Sequence, residues 1–120
     1  MAKRILFVDD EPDILKVATF RLKKAGYEVV NATDGEEALS LLKKEKFDIV
    51  FLDLRLPILN GLQICSIVKS EEGLKDIPVI LFTASLNNLE ERVKECKAQG
   101  FILKPFEPQD LLNKVTEIIG

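Results

Sequence analysis

Ile49-Val50-Phe51-Leu52 is an unbroken apolar run of strand length that ends on a carboxylate, Asp53. A strand apolar at every position is buried on both faces, as happens in a parallel sheet with helices on either side. Ile5-Leu6-Phe7-Val8 and Val79-Ile80-Leu81-Phe82 have the same character. Between the first run and Ile49, Pro12 suits the first turn of a helix. Ile14, Leu15, Ala18, Leu22 and Ala25 then follow at three-to-four spacing, and Gly26 stands where a helix would be capped. Tyr27-Glu28-Val29-Val30 reads as a strand, and about Gly35 to Glu45 as a helix with Ala38, Leu41 and Leu42 inward. The order up to Leu52 is therefore β-α-β-α-β.

The alternation continues beyond Asp53. Pro57 and Asn60-Gly61 mark a loop, Leu62, Cys65 and Val68 form the inward stripe of a third helix, and Gly73 breaks it. Strand four follows Pro78. A fourth helix is expected from about Leu86 to Ala98, with Leu89, Val93 and Cys96 on one side, and Phe101-Ile102-Leu103 is the fifth strand. A fifth helix spans about Pro108 to Ile119, with Leu111, Leu112, Val115, Ile118 and Ile119 inward. Five apolar strands alternating with five helices imply a doubly wound α/β domain, a parallel sheet sandwiched between two helical layers.

A length of 120 residues is the size of one domain and is enough to bury a core without metal or disulfide staples. One domain, residues 1–120, is expected, with nothing left over for a second domain. The net charge of −3, with lysines and glutamates interspersed, leaves no basic stripe to track a nucleic-acid backbone, so direct DNA or RNA binding is not expected. With no His in the chain, the two cysteines, Cys65 and Cys96, cannot build a zinc site or a Cys/His pair, and they read as small core residues. The start of the chain, Met1-Ala2-Lys3-Arg4 before a four-residue apolar run, is too short for a signal peptide or a membrane helix. No membrane insertion and a cytoplasmic location are expected.

In an open parallel sheet the ligand site lies outside the carboxyl ends of the strands. The residues there are Asp9 and Asp10 after strand one, Asp53 after strand three, Thr83 after strand four and Lys104 after strand five. Each alone could be a solvated loop residue, and an acid ahead of a helix is commonly only a cap. Together they form a distinct chemical set. Carboxylates brought within ~5 Å of one another repel by roughly 3 kcal/mol per pair at an effective dielectric near 20, so the cluster calls for a cation. Hard oxygen ligands without histidine or thiolate suit Mg2+, which commonly joins carboxylates to a phosphate. A carboxylate can itself be the nucleophile toward phosphorus, and phosphoryl transfer depends mainly on positioning and charge neutralisation.

These residues resemble the receiver domain of two-component response regulators, a single-domain receiver of the chemotaxis-regulator kind. The likeness rests on Asp9-Asp10-Glu11, Asp53-Leu54-Arg55-Leu56-Pro57 with Asn60-Gly61, Thr83-Ala84 and Lys104-Pro105-Phe106, in order at strand ends and across the whole chain. The resemblance implies a flavodoxin-like sheet of order 2-1-3-4-5. It makes Asp53 the phosphoacceptor and assigns Mg2+ to Asp10, Asp53 and the backbone carbonyl of Arg55, with Asp9 acting through water. Lys104 would pair with the phosphoryl group. Thr83 and Ala84 would close on it, with Phe101 as the switch aromatic, and Lys104-Pro105 would be a cis peptide. A sensor histidine kinase or phosphotransfer protein would be the donor. The output would pass to an unnamed protein through helix four, strand five and helix five, without turnover of a separate substrate.

Two departures from the family pattern stand out. Lys97-Ala98 replaces the Gly-Ala that ends helix four in many relatives, with Gly100 coming later, so that helix end is expected to be reshaped. Arg55 and Ser85 occupy variable positions flanking the phosphoryl site, and Arg55 is expected to alter the lifetime of the phosphorylated form. Three other classes share part of the pattern. A Mg2+-dependent aspartyl-phosphate phosphatase usually carries a second acid two residues after its nucleophile, where this chain has Arg55. A flavodoxin-like electron carrier would not present Asp9-Asp10-Glu11 to a flavin phosphate. A phosphate-independent binding module would show no Mg2+ binding.

Overall fold

Apolar runs become the strands and the three-to-four stripes become the helices. The computed structural model describes residues 2–56, 58–83 and 89–119. In chain order the elements are β1 (Arg4–Val8), α1 (Pro12–Lys24), β2 (Glu28–Ala32), α2 (Gly35–Lys44), β3 (Ile49–Asp53), α3 (Gly61–Ser70), β4 (Val79–Thr83), α4 (Leu89–Cys96), β5 (Gly100–Leu103) and α5 (Pro108–Ile119). The strands form one parallel sheet of order β2-β1-β3-β4-β5, the flavodoxin-like topology. Its chain order reverses between β1 and β3, and this is where the ends of those two strands open a crevice.

Period-two alternation divides the interior into two cores. Leu6, Val8, Val50, Leu52, Val79 and Leu81 face one side and pack with Ala38 and Leu42 of α2, Ile64, Cys65 and Val68 of α3, and Cys96 of α4. Ile5, Phe7, Ile49, Phe51, Ile80 and Phe82 face the other and meet Leu15, Ala18 and Leu22 of α1 with Leu111 and Val115 of α5. Across this second core runs a row of rings. Phe7 lies 5.5 Å from Phe51 and stacks at 5.1 Å on Phe82, and Phe82 meets Phe106 edge-on at 5.9 Å.

Some boundaries differ from the periodicity reading. Ala25 is exposed and is the cap residue of α1, so the stripe ends at Leu22. Gly26 takes φ +100° while its N–H donates to Lys23 O and the Tyr27 N–H reaches Leu22 O, which closes the orphan carbonyls of the last turn. The second strand is displaced to Glu28–Ala32, because Arg4 adds a polar rung to β1 and pairs in register with Glu28. Arg4 also bonds Glu45 at 2.6 Å, so this corner is tied by charge where hydropathy shows no signal. Helix α3 stops at Ser70, ahead of Gly73. The expected start of helix four at Leu86 lies outside the described residues.

The end of helix four closes with the same motif that ends α1. Lys97 stands in the left-handed region at φ 62°, its N–H donates to Lys94 O, and the Ala98 N–H donates to Val93 O. A lysine thus holds the conformation that Gly26 holds after α1, at a steric cost of about 1 kcal/mol.

Candidate functional site

The strand ends converge. Asp9 follows β1 and is fully buried, Asp53 ends β3 at 4% exposure and Thr83 ends β4 at 4%. Burial of polar side chains is tolerated only with partners, and those of the two acids are explicit. The Glu11 N–H donates to Asp9 Oδ1 at 2.9 Å and the Arg55 N–H to Asp53 Oδ1 at 2.9 Å, each from two residues downstream. The other oxygens face Lys104, whose Nζ lies 2.8 Å from Asp53 Oδ2 and 3.3 Å from Asp9 Oδ2, with Glu11 Oε1 at 3.5 Å.

Lys104 is positioned by backbone and by packing. Its N–H donates to Thr83 O at 2.7 Å, which carries the β4–β5 ladder one residue past Leu103. Its ammonium lies 5.1 Å from the centre of the Phe82 ring, a cation–π contact at the end of the row of rings. The peptide from Lys104 to Pro105 is cis. Burial pulls the Lys104 ammonium down, but the Asp53 and Asp9 carboxylates outweigh it and hold the group above its ordinary value.

Asp9, Asp10, Glu11 and Asp53 each offer a carboxylate oxygen, all within 4.8 Å of one another. Burial is the main reason that the Asp9 carboxyl is pushed up to about 6, with the neighbouring Asp53 charge adding to it against the Glu11 N–H and Lys104. One ammonium meets three of the four acids, so an excess of negative charge remains. The donor set, all oxygen with Asp10 and Glu11 open to solvent, fits a hard divalent cation such as Mg2+. Asp9, Asp10 and Asp53 are brought together as the sequence reading expected, and Glu11 joins them, a residue that reading left without a role. Its position two residues past Asp9, at the start of α1, was the available signal.

The floor of the site depends on close backbone approach. A Cβ on Gly61 would sit 2.4 Å from Asp53 O, and the Gly61 N–H donates to Leu54 O at 3.3 Å. Helix α3 therefore begins directly against the acid-bearing strand. Its start is held by a reciprocal cap in which Asn60 Oδ1 accepts from the Gln63 N–H and Gln63 Oε1 accepts from the Asn60 N–H, both at 2.9 Å. Arg55 is exposed beside Asp53. Phe101 is half-buried on β5 and packs toward the α2–α3–α4 core, while Ala84 and Ser85 lie outside the described residues.

Comparison with known proteins agrees with this geometry. Residues 5–116 match the response regulator receiver domain family. The chain is 38% identical over 119 residues to a protein named as a probable transcriptional regulator, ycf27, of Porphyridium aerugineum, covering 98% of this chain and 48% of that one. It spans about half the length of the curated relatives it matches. Among solved structures it superposes on the chemotaxis response regulator CheY4 of Vibrio cholerae with a TM-score of 0.93 and 30% identity, covering 99% of this chain and 100% of that one. The response regulator TrrA of Thermotoga maritima, solved in complex with Mg2+-BeF, matches with a TM-score of 0.87 and 33% identity over 98% of this chain and 99% of that one. With its sheet order, its acids at the strand ends and a family match over nearly its whole length, the chain belongs to the response regulator receiver domain family.

Proposed function

We propose that this chain is a phosphoacceptor switch in which Asp53 takes a phosphoryl group from a sensor histidine kinase, a phosphotransfer protein or a small phosphodonor. The observation that carries the reading is the buried Asp53 carboxylate, held by the Arg55 N–H on one oxygen and by Lys104 on the other, at the mouth of an acidic cluster. Two donors hold the carboxylate in one orientation, so its direction at the strand end is fixed before a phosphoryl donor arrives. Lys104, 2.8 Å from the same group, is placed to neutralise charge as it develops on the phosphoryl oxygens. Asp9, Asp10 and Asp53, with the Arg55 carbonyl, would hold Mg2+, which when bound supplies charge neutralisation for the incoming phosphoryl group. The TrrA structure with Mg2+-BeF supports this assignment by analogy.

After transfer, leaving-group departure and loss of one negative charge from the carboxylate would leave a new dianionic group beside Thr83 and Lys104. Thr83 ends the strand next to Asp53 and is the hydroxyl we assign to the new oxygens, with Phe101 responding on β5. The partner surface is assigned to α4, β5 and α5, where Leu103 is 37% exposed. The chain modifies itself and turns over no separate substrate in this scheme, which operates in the cytoplasm. No described helix is long and apolar enough to cross a membrane.

The test is intact mass after incubation with acetyl phosphate and Mg2+, alongside Asp53→Asn. A Mg2+-dependent gain of one phosphoryl group in the wild type and none in the variant is expected. A folded wild-type protein that gains nothing, or a variant that gains as much, would remove the assignment.

A further inference from the structure

The two cysteines take no part in the acidic cluster, and they lie next to each other. Cys65 is on α3 and Cys96 is the last residue of α4, 31 positions apart in sequence, and both are free and buried. The Cys65 thiol donates to the backbone carbonyl of Cys96 at 3.2 Å, and that carbonyl carbon is bonded to the Cys96 Cα. The Cys96 thiol is directed back to Val93 O at 3.8 Å.

We propose that Cys65 and Cys96 are an oxidisable pair that closes to a disulfide joining α3 to α4, with a peroxide as oxidant. The Cys65 sulfur already lies against the backbone of Cys96, 3.2 Å from its carbonyl oxygen, and closing the bond requires the Cys96 side chain to turn from Val93 O toward it. Nothing bridges the remainder of the two helices covalently, so the bond would be the one covalent tie between them among the described residues.

The surroundings distinguish the two sulfurs. Cys65 is held in the thiol form, because its hydrogen bond to Cys96 and its burial both push it up. Cys96 is lowered to about 7, chiefly by that same bond from Cys65, against burial and with help from the Ala98 N–H. Lys69, one turn along α3 from Cys65, anchors its ammonium on Ile77 O at 2.7 Å and Lys75 O at 3.1 Å, and its positive charge favours a thiolate at this spot. Cys96 is therefore the attacking sulfur and Cys65 the resolving one.

The chemistry balances in two steps. The Cys96 thiolate attacks one oxygen of hydrogen peroxide and breaks the O–O bond, forming Cys96 sulfenic acid and hydroxide. The Cys65 sulfur then attacks the Cys96 sulfur, expelling the sulfenic oxygen, which leaves as water with the Cys65 proton. In sum, two thiols are oxidised by two electrons and one peroxide is reduced to two waters. A reductant of the dithiol class reverses it, so in a reducing compartment the pair rests as thiols and the disulfide is transient.

Intact mass and peptide mapping of the full chain after hydrogen peroxide treatment, with Cys65→Ser and Cys96→Ser in parallel, test this. The expected result for the wild type is loss of two hydrogen atoms from the monomer, a cross-linked Cys65–Cys96 peptide, and full reversal by dithiothreitol. Cys65→Ser should stop at a sulfenic acid on Cys96 that dimedone captures, and Cys96→Ser should show neither product. An unchanged mass in peroxide, oxygen addition without a cross-link, or disulfide only between two chains would each overturn the proposal. This readout does not depend on phosphorylation, so it stands or falls separately from the function proposed above.

Discussion

Replacing Asp9 by Asn should make the metal-free protein more stable at neutral pH and leave it little changed in acid. Asp9 is fully buried, and its carboxyl is raised from 3.8 to about 6 by that burial. A carboxyl whose pKa is higher in the folded chain than in the unfolded one holds its proton more tightly when folded. Its stabilising contribution is therefore present below pH 3.8 and is lost as pH rises through about 6. A rise from 3.8 to about 6, at about 1.36 kcal/mol for each tenfold change in proton affinity, corresponds to about 3 kcal/mol lost by pH 7. Asn has nearly the shape of the protonated acid and does not ionise, so it escapes the loss. The stability difference, Asn variant minus wild type, should grow by about 2–3 kcal/mol between pH 4 and pH 7, equivalent to a melting difference on the order of 10 °C. The assay is urea unfolding of both proteins across that range in the presence of a chelator. A difference that stays flat with pH would refute the reasoning, since the remaining carboxylates titrate in both proteins. Saturating Mg2+ should then narrow the gap, because only the wild type keeps the full oxygen set.

Substitutions at three further positions probe the site and the scaffold. Gly61→Ala places a Cβ 2.4 Å from Asp53 O, so the loop between β3 and α3 must shift. A loss of roughly 2 kcal/mol in urea unfolding and slower phosphoryl uptake from acetyl phosphate are expected, and wild-type values for both would show that the approach is not needed. Lys97→Gly relieves the left-handed residue at the end of α4 and should raise stability by about 0.5–1 kcal/mol, whereas a decrease would mean that the lysine side chain contributes more than the strain takes away. Arg55→Ala and Arg55→Met should both change the dephosphorylation rate of the loaded protein, followed as decay of the phosphoryl mass, and an unchanged rate in both would remove Arg55 from any role in shielding the acyl phosphate.

Most of the fold was legible because β1, β3 and β4 carry unbroken apolar runs. A run such as Ile49 to Leu52 admits few structures other than a doubly covered strand, and the stripe Leu15, Ala18, Leu22 admits few other than a helix against it. The polar rungs were not legible. Arg4 and Asn31 lie inside strands whose ends hydropathy places elsewhere, because their pairing is decided by partners across the sheet. For the site, position after a strand was sufficient to bring Asp9, Asp53, Thr83 and Lys104 to one edge. What position cannot express is contact. That Glu11 N–H and Arg55 N–H each hold an acid two residues back, or that Cys65 meets the Cys96 carbonyl, follows from how two crossovers pack and leaves no periodic trace.

The ring beneath Lys104 bears on how a ligand can engage it. Phe82 covers the underside of the ammonium and is itself backed by Phe7 and Phe106, while the Lys104 side chain is only 14% exposed. The remaining directions are taken by Asp53, Asp9 and Glu11. Among the described residues, an arriving anion therefore meets an ammonium already paired with three carboxylates, and engaging Lys104 means exchange with a carboxylate oxygen that was there before. Binding at this edge is thus a substitution reaction at nitrogen's hydrogen-bond shell, and its rate is set as much by release of the resident acid as by arrival of the newcomer.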